Sequence, residues 1–328
     1  MIPSVLAAQL RHGIQDFLLT TFPITTPFFS STLSDLLASE GSVFRGPFLS
    51  LKLPFLAGEG TSRFFPDVLP AGFRPYRHQE EAFSRLGSPR FLSTLIATGT
   101  GSGKTESFLY PILDHCARTA SERGIKAILI YPMNALATDQ ARRFARAIHA
   151  SPALKGRVTA GLYIGGEGRE SHLAMGPEHL ITDRETLRTS PPSILLTNYK
   201  MLDYLLIRPD DRSLWSENGP ETLRFLAVDE LHTFDGAQGA DLACLIRRLK
   251  ARLKTPASFL TCIGTSATLG DSPAGMNADT LRSYAELLFG EPFTTDAIIT
   301  ETVETTDEFL RGHLITRFAP PGPEKRDE

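Results

Sequence analysis

The sequence predicts an α/β fold with a mostly parallel central sheet and helices on both faces. Two observations predict it. From Phe73 onward, short apolar runs alternate with segments of helical periodicity, the pattern of strands joined by crossover helices. A Gly-rich turn, Gly99-Thr100-Gly101-Ser102-Gly103-Lys104-Thr105, lies between a strand candidate and a helix candidate. In such sheets ligands sit at the carboxyl ends of the strands, which is where this turn falls.

The elements follow in order. Strands are predicted over 91–98, 125–131, 157–164, 194–197, 223–228 and 259–264. Helices are predicted over 106–121, 134–150, 201–207 and 237–254. The last carries Leu242, Leu245, Ile246, Leu249 and Leu253 on one face, as a helix lying on a sheet requires. Residues 167–192 are polar and read as a long loop or insertion, and 270–277 as another loop. Residues 1–72 differ. A helix over 5–20 is followed by scattered aromatics and turn signals such as Phe22-Pro23, Gly46-Pro47-Phe48 and Leu53-Pro54-Phe55. This is expected to be a small, mainly helical and irregular extension packing on the larger domain, 73–300. Residues 301–328 read as a tail or the start of a linker.

Composition narrows the class. The chain has 328 residues, one large domain or two small ones at roughly 100–200 residues each. It is 41% apolar and 22% charged, enough for a sizeable core. The net charge of −3 gives no global basic signature, so any nucleic-acid surface is local. The three cysteines, Cys116, Cys244 and Cys262, are far apart and form neither a zinc spacing nor a disulfide framework, which fits a reducing compartment. Polar residues interrupt the apolar start of the chain, so neither a signal peptide nor a membrane helix is expected. The expected location is cytoplasmic.

The Gly-rich turn fits G-x-x-x-x-G-K-[ST]. Glycines let the backbone curl so that successive amides face phosphate oxygens, and the following helix N-terminus adds positive potential. Lys104 is placed to reach the β- and γ-phosphates of ATP, and the Thr105 hydroxyl to help hold Mg²⁺. Further along, Leu226-Ala227-Val228 ends in Asp229-Glu230. An apolar strand ending in two carboxylates supplies a metal-shell acid and a neighbour that polarises water; Asp229 takes the first role and Glu230 the second.

These residues, in this order, resemble superfamily 2 helicases of the DEAD/DEAH-box kind over roughly residues 73–290. Tyr76-Arg77-His78-Gln79 resembles the adenine-reading segment, with Gln79 on the base and Phe73 or Tyr76 either stacking on it or packing in the core. Ala97-Thr98-Gly99 through Lys104-Thr105-Glu106 resembles motif I, and Tyr131-Pro132-Met133-Asn134-Ala135 motif Ia. Asp229-Glu230-Leu231-His232 has the DExH form of motif II, and Ser266-Ala267-Thr268 that of motif III. Gly165-Gly166 and Thr197-Asn198 stand where nucleic-acid-contacting segments occur. A finer likeness, to large bacterial and archaeal helicases of DNA repair and phage defence, rests on Glu106-Ser107-Phe108 after the loop and on three further stretches. They are Asn198-Tyr199-Lys200-Met201-Leu202, Leu231-His232-Thr233-Phe234 leading to Arg247-Arg248-Leu249, and Arg45-Gly46-Pro47-Phe48-Leu49.

The resemblance implies a RecA-like P-loop domain of three layers that binds ATP and Mg²⁺. Nucleotide contacts fall to Gln79, Thr98, Gly99, Thr100, Gly101, Ser102, Gly103, Lys104, Thr105 and Glu106. Nucleic acid, DNA before RNA, would cross Pro132, Asn134, Ala135, Gly165, Gly166, Thr197 and Asn198. His232, Ser266 and Thr268 would relay the state of the γ-phosphate. Arg142, Arg143 and Arg146 read instead as a solvated helix face. Such helicases carry a second RecA-like domain that supplies an arginine finger, and residues 301–328 are too few for one. The expectation is a first motor domain, weakly active alone, completed by a second domain in cis or in trans. The alternatives are a non-catalytic ATP-gated nucleic-acid adaptor or one subunit of a split motor. A P-loop ATPase acting on protein is disfavoured by Gln79 and Ser266-Ala267-Thr268.

Overall fold

The structure is a computed structural model that describes residues 3–29, 31–39, 41–42, 52–60, 64–99, 101–166, 171–266 and 278–311. Thr100, Thr268 and the 45–49 stretch lie outside the described residues. The chain divides into two compact units, Met1–Leu53 and Pro54–Glu328. Residues 54–72 thus group with the larger unit. The smaller unit holds helices α1 (Pro3–Thr21) and α2 (Thr32–Ala38), tied by Gln15 Nε2 donating to the Leu37 carbonyl at 2.8 Å.

The larger unit opens with α3 (Arg77–Leu86), then β1 (Thr94–Ala97), α4 (Lys104–Arg118), β2 (Ala127–Tyr131) and α5 (Asn134–Ala150). It continues with β3 (Ala160–Tyr163), α6 (Arg184–Thr189), β4 (Ile194–Asn198), α7 (Tyr199–Ile207) and β5 (Phe225–Val228). Last come α8 (Gly236–Leu253), β6 (Thr261–Ser266), α9 (Ala278–Phe289), β7 (Ile298–Thr300) and α10 (Thr306–Leu310). The sheet order is β3-β4-β2-β5-β6-β1-β7, every neighbouring pair parallel.

Strands buried on both faces explain the continuous apolar runs of β1, β2, β4 and β5. Alternate residues feed two separate cores. Ile96, Leu129, Leu196 and Ala227 pack with Phe83, Ile112 and Phe144 of α3, α4 and α5. Leu95, Ile128, Leu195 and Leu226 pack with Leu202, Leu249 and Leu288 of α7, α8 and α9. Truncating one such residue, Leu249 for example, would cost about 2–5 kcal/mol.

The segment read as a loop over 167–192 contains α6 and does more than connect. Ile181 pairs in parallel with Gly161, with Leu162 N donating to Ile181 O at 2.8 Å. It shields the outer edge of β3, which would otherwise expose unpaired backbone groups. Its helix was hidden because only Leu187 of its six residues is buried, too little apolar periodicity to register. Helices α3 and α9 and strand β7 also went unpredicted.

The register aligns the strand ends on one rim. Ala97 sits beside Ser266 and Thr300, Ile130 beside Thr197 and Val228, and Tyr163 beside Thr197. Every motif singled out in the sequence after a strand therefore emerges on the same side of the sheet.

Candidate nucleotide and nucleic-acid site

The turn after β1 is shaped by its glycines. Gly101 and Gly103 have φ of 83° and 77°, backbone that side-chain-bearing residues rarely adopt. A Cβ on Gly103 would come within 2.3 Å of Gln79 Nε2, whereas one on Gly101 would meet nothing within 4 Å. The loop is thus packed from below and open above. Thr98 and Ser102 brace it through a buried hydroxyl pair 2.7 Å apart. Helix α4 begins at Lys104, so its free amides point at the turn.

Gln79 supports this loop. Its Nε2 donates to Gly103 O at 3.0 Å, and its Oε1 accepts from Tyr76 N at 2.9 Å. The amide keeps one N–H and one lone pair for another partner. Its neighbour His78 is fully buried, with Nε2 2.8 Å from Ser102 O. Burial holds the His78 imidazole below its ordinary pKa.

Asp229 and Glu230 follow β5. Burial raises the Asp229 carboxyl, opposed by the Thr265 hydroxyl bonded to it and by Lys104. Thr265 Oγ1 also accepts from Glu230 N at 3.1 Å. Glu230 has a φ of 51°, a left-handed conformation that is costly for a non-glycine residue and clusters at functional sites. Lys104 Nζ lies 3.7 Å from Glu230 Oε1 and donates to Ser266 O at 3.3 Å. His232 Nδ1 lies 3.4 Å from Glu230 Oε2 and 3.3 Å from Ser266 Oγ. Four residues, from α4, β6 and the turn after β5, thus close a polar ring. Thr105 and Asp229 offer the hard oxygen donors that suit Mg²⁺, and a loop of open amides with a lysine suits the phosphates of ATP. Glu106 reaches Arg143 Nη1 at 3.6 Å through Oε1, while its Oε2 stays beside the loop, where a Cβ on Gly103 would fall 3.3 Å from it.

A second polar chain joins the ends of β2, β3 and β4. Asn198 Nδ2 donates to Asn134 Oδ1 at 2.6 Å, and Asn134 Nδ2 donates to Gly165 O at 3.1 Å. Asn198 Oδ1 also caps α7, accepting from Met201 N at 2.7 Å. Pro132, Ala135 and Gly166 flank this chain on the same rim. Thr197 does not join it. The Thr197 side chain is fully buried, and its hydroxyl donates to Tyr163 O at 2.7 Å.

Two residues of the site escaped sequence reasoning. Thr265 holds both carboxylate residues, and its only signal was its place just before Ser266. Glu301, which follows β7, accepts from Gly99 N at 2.6 Å; nothing in the sequence marked it.

A parallel α/β sheet with a phosphate loop on β1, an acidic pair on β5 and a polar relay to β6 defines a RecA-like P-loop nucleotide-binding domain. The DEAD/DEAH box helicase family model matches residues 76–275, and the chain belongs to that family. It is 32% identical to the Druantia protein DruE of Escherichia coli, over 70% of this chain and 18% of that protein. It is 29% identical to an ATP-dependent helicase of Methanocaldococcus jannaschii, MJ1574, over 68% of this chain and 28% of that one. Among solved structures it resembles the DUF1998 helicase MrfA bound to DNA and AMPPNP, with a TM-score of 0.54 and 25% identity, covering 75% of this chain and 30% of that one. The chain therefore spans under a third of the length of these relatives and corresponds to a helicase motor domain within them. Among the described residues, no helix is long and apolar enough to cross a membrane.

Proposed function

We propose that the chain is the first motor domain of an ATP-dependent helicase or translocase acting on nucleic acid, DNA in preference to RNA. The observation that carries this is the polar ring of Lys104, Glu230, His232 and Ser266, which links the phosphate loop to the acidic pair and to the strand carrying motif III. Amides of the 99–105 loop and Lys104 hold the phosphates of ATP. Thr105 and Asp229 hold Mg²⁺. Glu230 orients the attacking water, and the free N–H of Gln79 reads the adenine edge.

Nucleic acid crosses the rim at Pro132, Asn134, Ala135, Gly165, Gly166 and Asn198, with Thr197 bracing the end of β4 from below. His232 and Ser266 report phosphate state to that rim. A second RecA-like domain, in cis or in trans, supplies the opposite wall and the arginine that accelerates turnover by about 10³–10⁵. The DNA-bound neighbour favours DNA; the reading includes a role in repair or phage defence and a cytoplasmic location.

Single-turnover hydrolysis of Mg·ATP, with and without single-stranded DNA, tests this. The motor reading expects slow hydrolysis that DNA accelerates. An adaptor would bind both ligands and leave ATP intact, and that result would replace the motor reading.

A further inference from the structure

A pocket of about 830 Å³ opens beside the outer edge of β3. Leu162, Ile164 and Leu180 give it an apolar floor, and Gly166 lies at its mouth. One wall is aromatic. The rings of His172 and His179 stack with centroids 3.8 Å apart and planes 18° apart. His179 is seated against Gly176, where a Cβ would fall 2.4 Å from the ring. This close approach fixes the stack, since any larger residue at 176 would displace it.

The charges around the pocket are unequally committed. Glu178 is gripped by Arg146 through three hydrogen bonds of 2.7–2.9 Å. Asp183 accepts from the Thr186 amide and hydroxyl and from the Ser171 hydroxyl, at 2.7–3.0 Å. Glu178 is thus neutralised by Arg146, whereas Asp183, held by neutral donors, keeps its negative charge. Arg142, an exposed residue of α5, also lines the pocket, and its guanidinium enters no ion pair among the described residues. Arg184, whose guanidinium lies 5.7 Å from the centre of the Tyr163 ring, lines the pocket too, so two arginines stand against the single carboxylate of Asp183.

We propose that this pocket receives an unstacked nucleobase of a bound single strand, with the His172–His179 stack as its platform and Arg142 on the adjoining phosphate. Four features converge on that ligand. The size lies in the range of ligand pockets. A flat aromatic wall suits a base, whose π-face stacks whatever its identity. The uncommitted cation suits a phosphate. Gly166 joins the mouth of the pocket to the rim on which the proposed nucleic-acid path runs. The inference rests on that path, and adds to it a stacking contact with a base.

The test compares two oligonucleotides of about 20 units, one of thymidine and one wholly abasic, binding to this chain by fluorescence anisotropy. The abasic strand keeps every phosphate and lacks every base, so sliding of the strand cannot mask the difference. The wild type is expected to prefer the thymidine strand by about tenfold, the size of one base–aromatic stack. The double change His172→Ala and His179→Ala should erase the preference while leaving ATP affinity, read on the same sample as a check of folding, unchanged. His172→Phe with His179→Phe should restore it. Arg142→Ala should weaken both strands alike. Equal binding of the two strands by the wild type, or a preference that survives the alanine pair, overturns the pocket and leaves the motor reading standing. Failure of the wild type to bind either strand overturns the nucleic-acid path itself, and the pocket with it.

Discussion

Lys104 Nζ stands 3.7 Å from Glu230 Oε1, so the lysine placed for phosphate is paired with the carboxylate placed for water. On the proposed reading a γ-phosphate would compete with Glu230 for the same ammonium, and its arrival would free the carboxylate. Glu230→Gln removes that competitor while keeping the side chain's shape. It should leave Mg·ATP affinity equal to or above the wild type and lower single-turnover hydrolysis by about 10²–10⁴. A variant that hydrolyses ATP at the wild-type rate would take Glu230 out of the chemistry.

Asn198 does two jobs, capping α7 and holding Asn134. Asn198→Ala should cost about 1 kcal/mol in urea denaturation, the usual loss of an N-cap. It also removes the donor to Asn134 Oδ1, loosening the side chain that holds the Gly165 carbonyl on the rim. Binding of single-stranded DNA should fall several-fold with ATP affinity unchanged. Unaltered DNA affinity would place the strand elsewhere on the domain.

His115 is packed between Phe91 and Phe225. Burial, and then the charges of Arg224, Lys126 and Arg118, hold its pKa down to about 4 from the ordinary 6.5. The native state therefore keeps it neutral where the unfolded chain would protonate it. The sign follows: stability is full above about pH 6.5 and is lost as pH falls toward 4. Unfolding free energy should be about 2 kcal/mol lower at pH 5 than at pH 8 from this group. His78, lowered by burial, adds in the same direction. His115→Phe should flatten the profile by its share. A profile that His115→Phe leaves unchanged would assign the acid sensitivity to other groups.

The Glu301 carboxylate on the Gly99 amide anchors the phosphate loop and also places negative charge beside it. The two effects separate by substitution. Glu301→Gln keeps an acceptor and removes the charge, so ATP should bind about threefold tighter, as expected for a screened charge near the site. Glu301→Ala loses the anchor as well and should bind more weakly than Glu301→Gln. Equal affinities for the two variants would deny the anchor.

Much of this was legible in the sequence because it depends on local pattern. Helix α5 matches its predicted span, since an amphipathic run starting at Asn134 has one way to face a sheet. The phosphate loop and Asp229-Glu230 were legible because their chemistry needs fixed residue types at fixed spacing. Strand β7 was not, because three residues carry too little periodicity to stand out. Glu301 was invisible for a different reason. It meets Gly99 only through the pairing of β7 with β1, a contact 202 positions apart. The buried hydroxyl of Thr197 shows the converse. Its sequence context marked a surface contact, and the register of β3 and β4 turned it onto Tyr163 O instead.

The most direct measurement is equilibrium binding of Mg·ATP to the wild type and to Lys104→Ala, by calorimetry. The loop, the lysine and the acidic pair together predict clear binding by the wild type. They predict a loss of about 100-fold or more in the variant, as removal of a charged phosphate contact from a partly buried site requires. Unchanged affinity in Lys104→Ala would contradict the nucleotide site and every role built on it.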